Sequence, residues 1–243
     1  MSGIVRVQKE RSTRAVRGVW WEGMTRPAFW IVLILALSAP VLAQERTSPR
    51  REKWSFGSVI APVTMPEDVT SLYGYVGVPE MGAGFRQGLS GLELEAKAKL
   101  DYFRLAGIFE VGARREVLTR ETAALAPTLS LGLVLNSGTS YLDEENFGGV
   151  LLRVSPGLVS GWRAGETVVL VGLVDAPVDI GVGPTGAWRI QTLVGGGPEI
   201  YLGQGVTLLV SGQIGLEHFK EERQDWNTRL GYQIKLGIGS RLF

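Results

Sequence analysis

Leu92-Glu93-Leu94-Glu95-Ala96-Lys97-Ala98-Lys99-Leu100-Asp101 decides the fold class. Its even positions are apolar and its odd positions are charged. A strand sends successive side chains to opposite faces, so all five charges share one face and the aliphatic residues the other. A helix of the same residues would scatter the charges around its axis. The stretch reads as a strand with one charged and one apolar face, although its composition suits a helix.

The same period of two recurs on both sides of it. Residues 105–117 alternate, with Phe109 and Val111 opposing Ile108, Glu110 and Arg114. Leu125 to Asn136 carries Leu129, Leu131, Leu133 and Leu135 against Thr128, Ser130 and Gly132. Further runs lie at 150–161, 188–202, 206–216 and 230–238. Residues 167–174 are apolar on both faces, so their orientation is not readable. Trp54 to Val63 and Thr70 to Val78 are weaker candidates. Ten strands result if both weaker runs count, eight if neither does. The links at 162–165 and 202–205 are tight, whereas 137–148, 176–187 and 217–227 are long and polar or rich in Gly and Pro. Short and long links alternating along antiparallel strands predict an all-β, up-and-down transmembrane β-barrel of about ten strands, with short turns at one end.

Alternation also fits a soluble barrel, so the content of the second face matters. From Leu125 to Leu216 it is mostly Gly, Ala, Ser, Thr and Gln, with few ions. A water-facing exterior needs more charge, whereas small polar residues suit a narrow packed lumen. The uniformly aliphatic face suits lipid, where every backbone group must already be paired. Trp54, Tyr102, Phe103, Phe147, Trp162, Trp188, Tyr201, Phe219 and Trp226 lie near strand ends, as interfacial aromatic girdles do.

The N-terminus carries an apolar run of about 15 residues from Phe29 to Ala43, shorter than the ~20 needed to span a membrane as a helix. Val41-Leu42-Ala43 offers a signal-peptidase site, with Pro40 breaking any helix before it. Residues 1–43 are therefore expected to be a signal peptide cut after Ala43, with Met24 as the effective start. Their removal takes six of the 25 basic and two of the 24 acidic residues, which turns the net charge from +1 to −3. Residues 44–53 read as a polar periplasmic lead-in, and 54–243 as the barrel. Localisation in the outer membrane follows as an expectation.

Composition narrows the chemistry. The near-neutral balance gives no field for nucleic acid. The absence of cysteine excludes disulfides and thiolate sites. His218 is the only histidine; beside Glu217 in what reads as a polar loop, it is taken as a solvated residue and not a catalytic one. Gly181-Val182-Gly183-Pro184-Thr185-Gly186 spells a dinucleotide motif, but that motif must open a helix and here Pro184 and a strand follow. Asp143-Glu144-Glu145-Asn146 lacks EF-hand spacing and is read as loop charge. The expectation is a chain with no enzymatic site, metal or cofactor.

A signal peptide, alternating strands and a last strand running from Leu230 to Phe243 resemble the small bacterial outer-membrane β-barrels. The resemblance covers roughly residues 54–243 and is architectural. It implies outer-membrane lipid as surroundings and the barrel-assembly machinery as a partner during insertion, with the terminal aromatic as part of the signal that machinery reads. Phe243 is out of phase with Tyr232, Ile234, Leu236 and Ile238, so either a bulge near Ser240-Arg241 restores it or Leu242 faces outward. A looser resemblance is to gliding-motility envelope barrels.

The candidate lumen charges are Glu93, Glu95, Lys97, Lys99, Asp101, Glu110, Arg114, Arg153 and Lys235. Charges inside a narrow barrel must pair or stay wet. Their mixed signs favour a salt-bridged plug over a selective pore, which needs one dominant sign. The functional expectation is a non-catalytic scaffold, adhesin or subunit of an envelope complex, meeting envelope protein partners through its long loops. The alternative is a small diffusion pore or hydrophobic-ligand conduit.

Overall fold

The computed structural model describes residues 58–62, 64–138, 148–182, 186–220 and 226–242. The signal-peptide and lead-in expectations, Trp54, Phe147, Phe243 and the Asp143–Asn146 cluster lie outside these residues. The chain forms β1 (Thr70–Val78), β2 (Glu80–Leu89), β3 (Leu92–Asp101), β4 (Ala106–Arg114), β5 (Leu118–Thr119), β6 (Ala123–Ser137), β7 (Gly148–Arg163), β8 (Val168–Asp175), β9 (Val178–Gly181), β10 (Trp188–Gly203), β11 (Val206–Lys220) and β12 (Asn227–Arg241). All pairings are antiparallel. β5 and β4 both pair with β6, and β8 and β9 both lie between β7 and β10, so these pairs are single staves with a break. Ten staves result, and β1 pairs with β12 to close the barrel.

Closure fixes the dimensions. Following paired residues once around leads from Ser240 through Leu72, Phe85, Ala96, Val111, Leu131, Val154, Val178, Ile190 and His218 to Thr228, a stagger of 12 residues on β12. With ordinary strand spacings that stagger implies a tilt of about 40° and a radius of about 10 Å, narrow enough for side chains to fill. Ser90-Gly91, Arg120–Thr122, Ala164–Thr167 and Gln204-Gly205 make short turns at the end that also holds the start of β1 and the end of β12. This is the periplasmic pattern of an outer-membrane barrel. The opposite rim is uneven. β1 to β4 have 9 or 10 residues, whereas β6, β7, β10, β11 and β12 have 15 or 16.

The outside is apolar. Phe109, Val111, Leu131, Leu133, Val194, Ile214, Leu230, Ile234, Leu236 and Ile238 are all exposed, and Leu242 joins them beyond β12. The β12 register runs to Arg241 without a bulge, so Leu242 takes the outward position. Arginine at Leu131 or Ile234 is expected to cost about 2–4 kcal/mol near the midplane, while Gln233, on the other face, should tolerate polar change. Equilibrium unfolding from vesicles measures this; equal tolerance on both faces would argue against lipid outside.

Three expectations need correction. Trp54–Val63 is not a barrel strand: its described part, residues 58–62, runs without regular structure, and Ser58, Val59, Ala61 and Pro62 are buried. The barrel starts at Thr70, and the tenth stave is β2, which carried no readable pattern. Its inward face holds Gly82, Gly84 and Gly88 alongside Glu80 and Arg86, and glycine weakens a strand signal. Those glycines are steric: a Cβ at Gly84 would lie 2.3 Å from the Tyr73 ring, and one at Gly88 2.0 Å from the Pro66 carbonyl oxygen. Lastly, β11 extends to Lys220 and residues 178–181 are strand, so Glu217, His218 and Asp179 belong to the wall and not to loops. Hydrogen bonding in a narrow barrel carries these strands past the polar residues at which the pattern stops.

Candidate functional site

The inward faces of the staves build a lumen layered by depth. In the half nearest the short turns, residues 58–62, 64 and 65 are threaded inside the wall. The Glu199 carboxylate on β10 accepts hydrogen bonds from three consecutive amides, Val59, Ile60 and Ala61, at 2.7, 3.0 and 2.9 Å. From the facing staves, Glu93 accepts from the Met65 amide at 3.1 Å, and Glu116 from that of Thr64 at 3.3 Å. Arg86 and Arg114 donate to the carbonyl oxygens of Ser58 and Ile60 at 3.1 and 3.0 Å. Arg114 also pairs with Glu93. Val59 packs with Tyr73, Tyr75 and Leu209, and Ala61 with Val159, Val171 and Leu173. The inserted segment is a stopper held by its main chain.

Above it lies a girdle of ion pairs. Glu95 meets Arg86 at 3.2 Å and Lys97 at 3.3 Å, and accepts the Tyr73 hydroxyl at 2.6 Å. Glu110 meets Lys99 at 2.6 Å and Lys97 at 3.7 Å, and accepts from Ser155 at 3.0 Å. Glu80 meets Lys235 at 2.8 Å and accepts from Tyr75 at 3.0 Å. A third layer lies toward the uneven rim. Asp179 accepts from both Arg153 and Arg189, with contacts of 2.6 Å to each. Glu217 meets Arg229 at 2.7 Å and Arg104 at 2.9 Å; Arg104 comes from the β3–β4 turn and also pairs with Asp101 at 3.6 Å. Desolvating each of these ions costs several kcal/mol, which only dense opposite-sign pairing offsets. Between the layers a cavity of about 180 Å³ remains, lined by both signs and by Gln191, Gln213 and Gln233.

All nine candidate lumen charges point inward and take part in this network: Glu93, Glu95, Lys97, Lys99, Asp101, Glu110, Arg114, Arg153 and Lys235. The periodicity left out eight more: Glu80, Arg86, Arg104, Asp179, Arg189, Glu199, Glu217 and Arg229. Glu199 and Arg189 stand in phase on β10, and that phase was the one available signal for them. His218 lies on β11, pairs across to Thr228 and contacts its hydroxyl at 2.8 Å, on the face away from Glu217. Among the aromatics Trp162 is outward, and Trp188 stacks edge-on against Trp226 at 4.0 Å. Phe219 is buried in the lumen, its ring centroid 4.7 Å from the Arg229 guanidinium, and Phe103 lines the lumen cavity. Among the described residues no group of three or more His, Cys, Asp or Glu is placed to hold a metal ion.

No protein-family description matches the chain, and no curated relative matches it in sequence. The solved structures similar to it include two membrane-associated proteins. The outer membrane protease OmpT from Escherichia coli is 8% identical, over 72% of this chain and 93% of that one, with a TM-score of 0.36. The KdgM porin, solved in complex with disordered oligogalacturonate, is 7% identical, over 72% of this chain and 99% of that one, with a TM-score of 0.38. The likeness is one of fold and goes no finer. It corrects the expectation that the chain is no enzyme: one of these barrels is a protease, so the architecture hosts catalysis and gives no ground for excluding it. Neither neighbour is a motility subunit, and that looser resemblance is not carried further. The described residues themselves form a closed, antiparallel β-barrel of ten staves.

Proposed function

We propose that the protein is exported, sits in the outer membrane as a closed barrel, and acts there as a scaffold, adhesin or subunit of an envelope complex. The observation that carries this reading is the latched stopper. Residues 58–62, 64 and 65 occupy the termini-proximal half of the lumen and are gripped from β2, β3, β4 and β10. A pore has no use for a lumen whose charges neutralise one another and whose lower half is filled. One observation favours the alternative of a small diffusion pore: the cavity of about 180 Å³ above the stopper has charged side chains of both signs and three glutamines among its lining residues.

Planar-bilayer recording separates the two. Protein taken from the outer-membrane fraction, its mass starting at Gln44, should give no stepwise conductance above the lipid baseline. Steady channels in the wild-type protein would overturn the closed reading and establish the pore. Recovery from the inner membrane with residues 29–42 intact would overturn export.

A further inference from the structure

The grip on residues 58–61, 64 and 65 has the character of ligand recognition. Five amide donors, those of Val59, Ile60, Ala61, Thr64 and Met65, and two carbonyl acceptors, those of Ser58 and Ile60, are met by charged side chains of the wall. Glu199 is 3% exposed, Glu93 1% and Arg86 2%, so the partners are sunk into the barrel. Pro62 and Pro66, which have no amide hydrogen, fall outside the gripped donors. The wall also makes room for the chain. A Cβ at Gly161 would lie 2.7 Å from the Pro62 ring, and one at Gly88 would strike the Pro66 carbonyl. Only small or slender groups fit against these glycines. By contrast the link to the barrel, Pro66-Glu67-Asp68, is exposed.

We propose that the termini-proximal half of the lumen is a binding site for an extended peptide, read through its main chain, and that residues 58–62, 64 and 65 are its occupant in cis. The ligand class is a short segment of small, β-branched and prolyl residues. Buried carboxylates and guanidiniums positioned for backbone groups recognise any such segment whose prolines avoid the gripped amides. Covalent attachment keeps the cis segment at high effective concentration, so a second peptide enters once the cis copy is detached or drawn out.

The test uses the whole protein with a protease recognition sequence inserted between Glu67 and Asp68, folded first and nicked afterwards. The probe is a labelled nonapeptide with the sequence of residues 58–66. The detached segment is expected to stay bound until excess nonapeptide replaces it, giving saturable binding by fluorescence anisotropy. N-methylation of the peptide at the position of Ala61 keeps every side chain and deletes one gripped donor; it should weaken binding at least tenfold. A scrambled peptide that moves the prolines onto positions 59–61 should not bind. A segment that never exchanges would make it an integral part of the fold and overturn the site. So would a segment that departs without any peptide entering. Equal binding of the N-methylated or scrambled peptide would reduce the interaction to apolar adsorption and overturn main-chain reading. Conductance is a separate readout: a barrel that conducts and still exchanges peptide keeps this assignment.

Discussion

Asparagine in place of Asp179 is expected to destabilise the barrel by about 3–5 kcal/mol, the largest single effect among the lumen charges. Asp179 is 1% exposed, and its two oxygens take four contacts of 2.6 to 2.8 Å from Arg153 and Arg189. The substitution is nearly isosteric, so packing is kept and charge alone is lost. It leaves two buried guanidiniums facing an amide whose nitrogen is itself a donor. Reversible unfolding by denaturant from lipid vesicles gives the number. Replacing Arg153 by Met in the same protein should recover part of the loss, because it removes one of the stranded cations. A change within about 0.5 kcal/mol for Asp179→Asn, the size of an ordinary surface substitution, would show that the outer layer of the lumen is wet enough to need no pairing.

Leucine in place of Glu199 is expected to loosen the stopper without opening the wall. Glu199 is the one side chain bonded to three consecutive amides of the inserted segment. Hydrogen bonds to a charged group contribute about 1.5–3 kcal/mol each, so losing three should raise hydrogen exchange at Val59, Ile60 and Ala61 by at least about 10²-fold. The amides of β6 and β7, paired over fifteen registers on the far wall, should keep their protection. Exchange resolved by residue or by short peptide checks this directly. Unchanged protection at 59–61 would mean that the apolar contacts to Leu209, Val171 and Leu173 hold the segment by themselves. Loss of protection throughout would mean that the segment is part of the folding core.

Where a strand had an exposed apolar face on one side and paired charge on the other, its sequence was enough to place it. β3 shows this, with Leu94 and Leu100 outside and Glu93, Glu95, Lys97 and Lys99 inside; so does β12, with Ile234, Leu236 and Ile238 outside. Legibility failed wherever the stopper intervened. β8 is apolar on both faces because Val171 and Leu173 pack inward on Ala61, while Leu170 and Val174 are exposed on the outside. β2 is masked by the glycines that give Tyr73 and Pro66 their space. The stopper itself, read as Trp54–Val63, imitates an outward strand because its apolar residues seek the same kind of partner, inside instead of outside. The missing members of the charge network follow from the same causes. Glu80 and Arg86 went with β2, and Asp179 and Glu217 were assigned to loops because polar residues near a strand end look alike whether they leave the sheet or line a lumen.

The uneven rim has a consequence of its own. β1 ends at Val78, opposite Ile234, while β12 continues to Asn227. At a tilt of about 40° each residue adds about 2.5 Å of height, and a strand of about ten residues is just enough to cross the hydrocarbon layer. In the proposed membrane setting the β1–β4 side ends near the lipid headgroups, whereas the longer staves stand clear of them as a parapet on the remaining sides. Seen from outside, the molecule has a threshold and a back wall. A partner or solute arriving along the membrane plane meets the lumen mouth over Pro79 and the Tyr102–Leu105 turn, and from any other bearing it meets a screen of sheet. That gives a nearly round barrel a compass direction, and neighbours docking against it would be set in azimuth as well as depth.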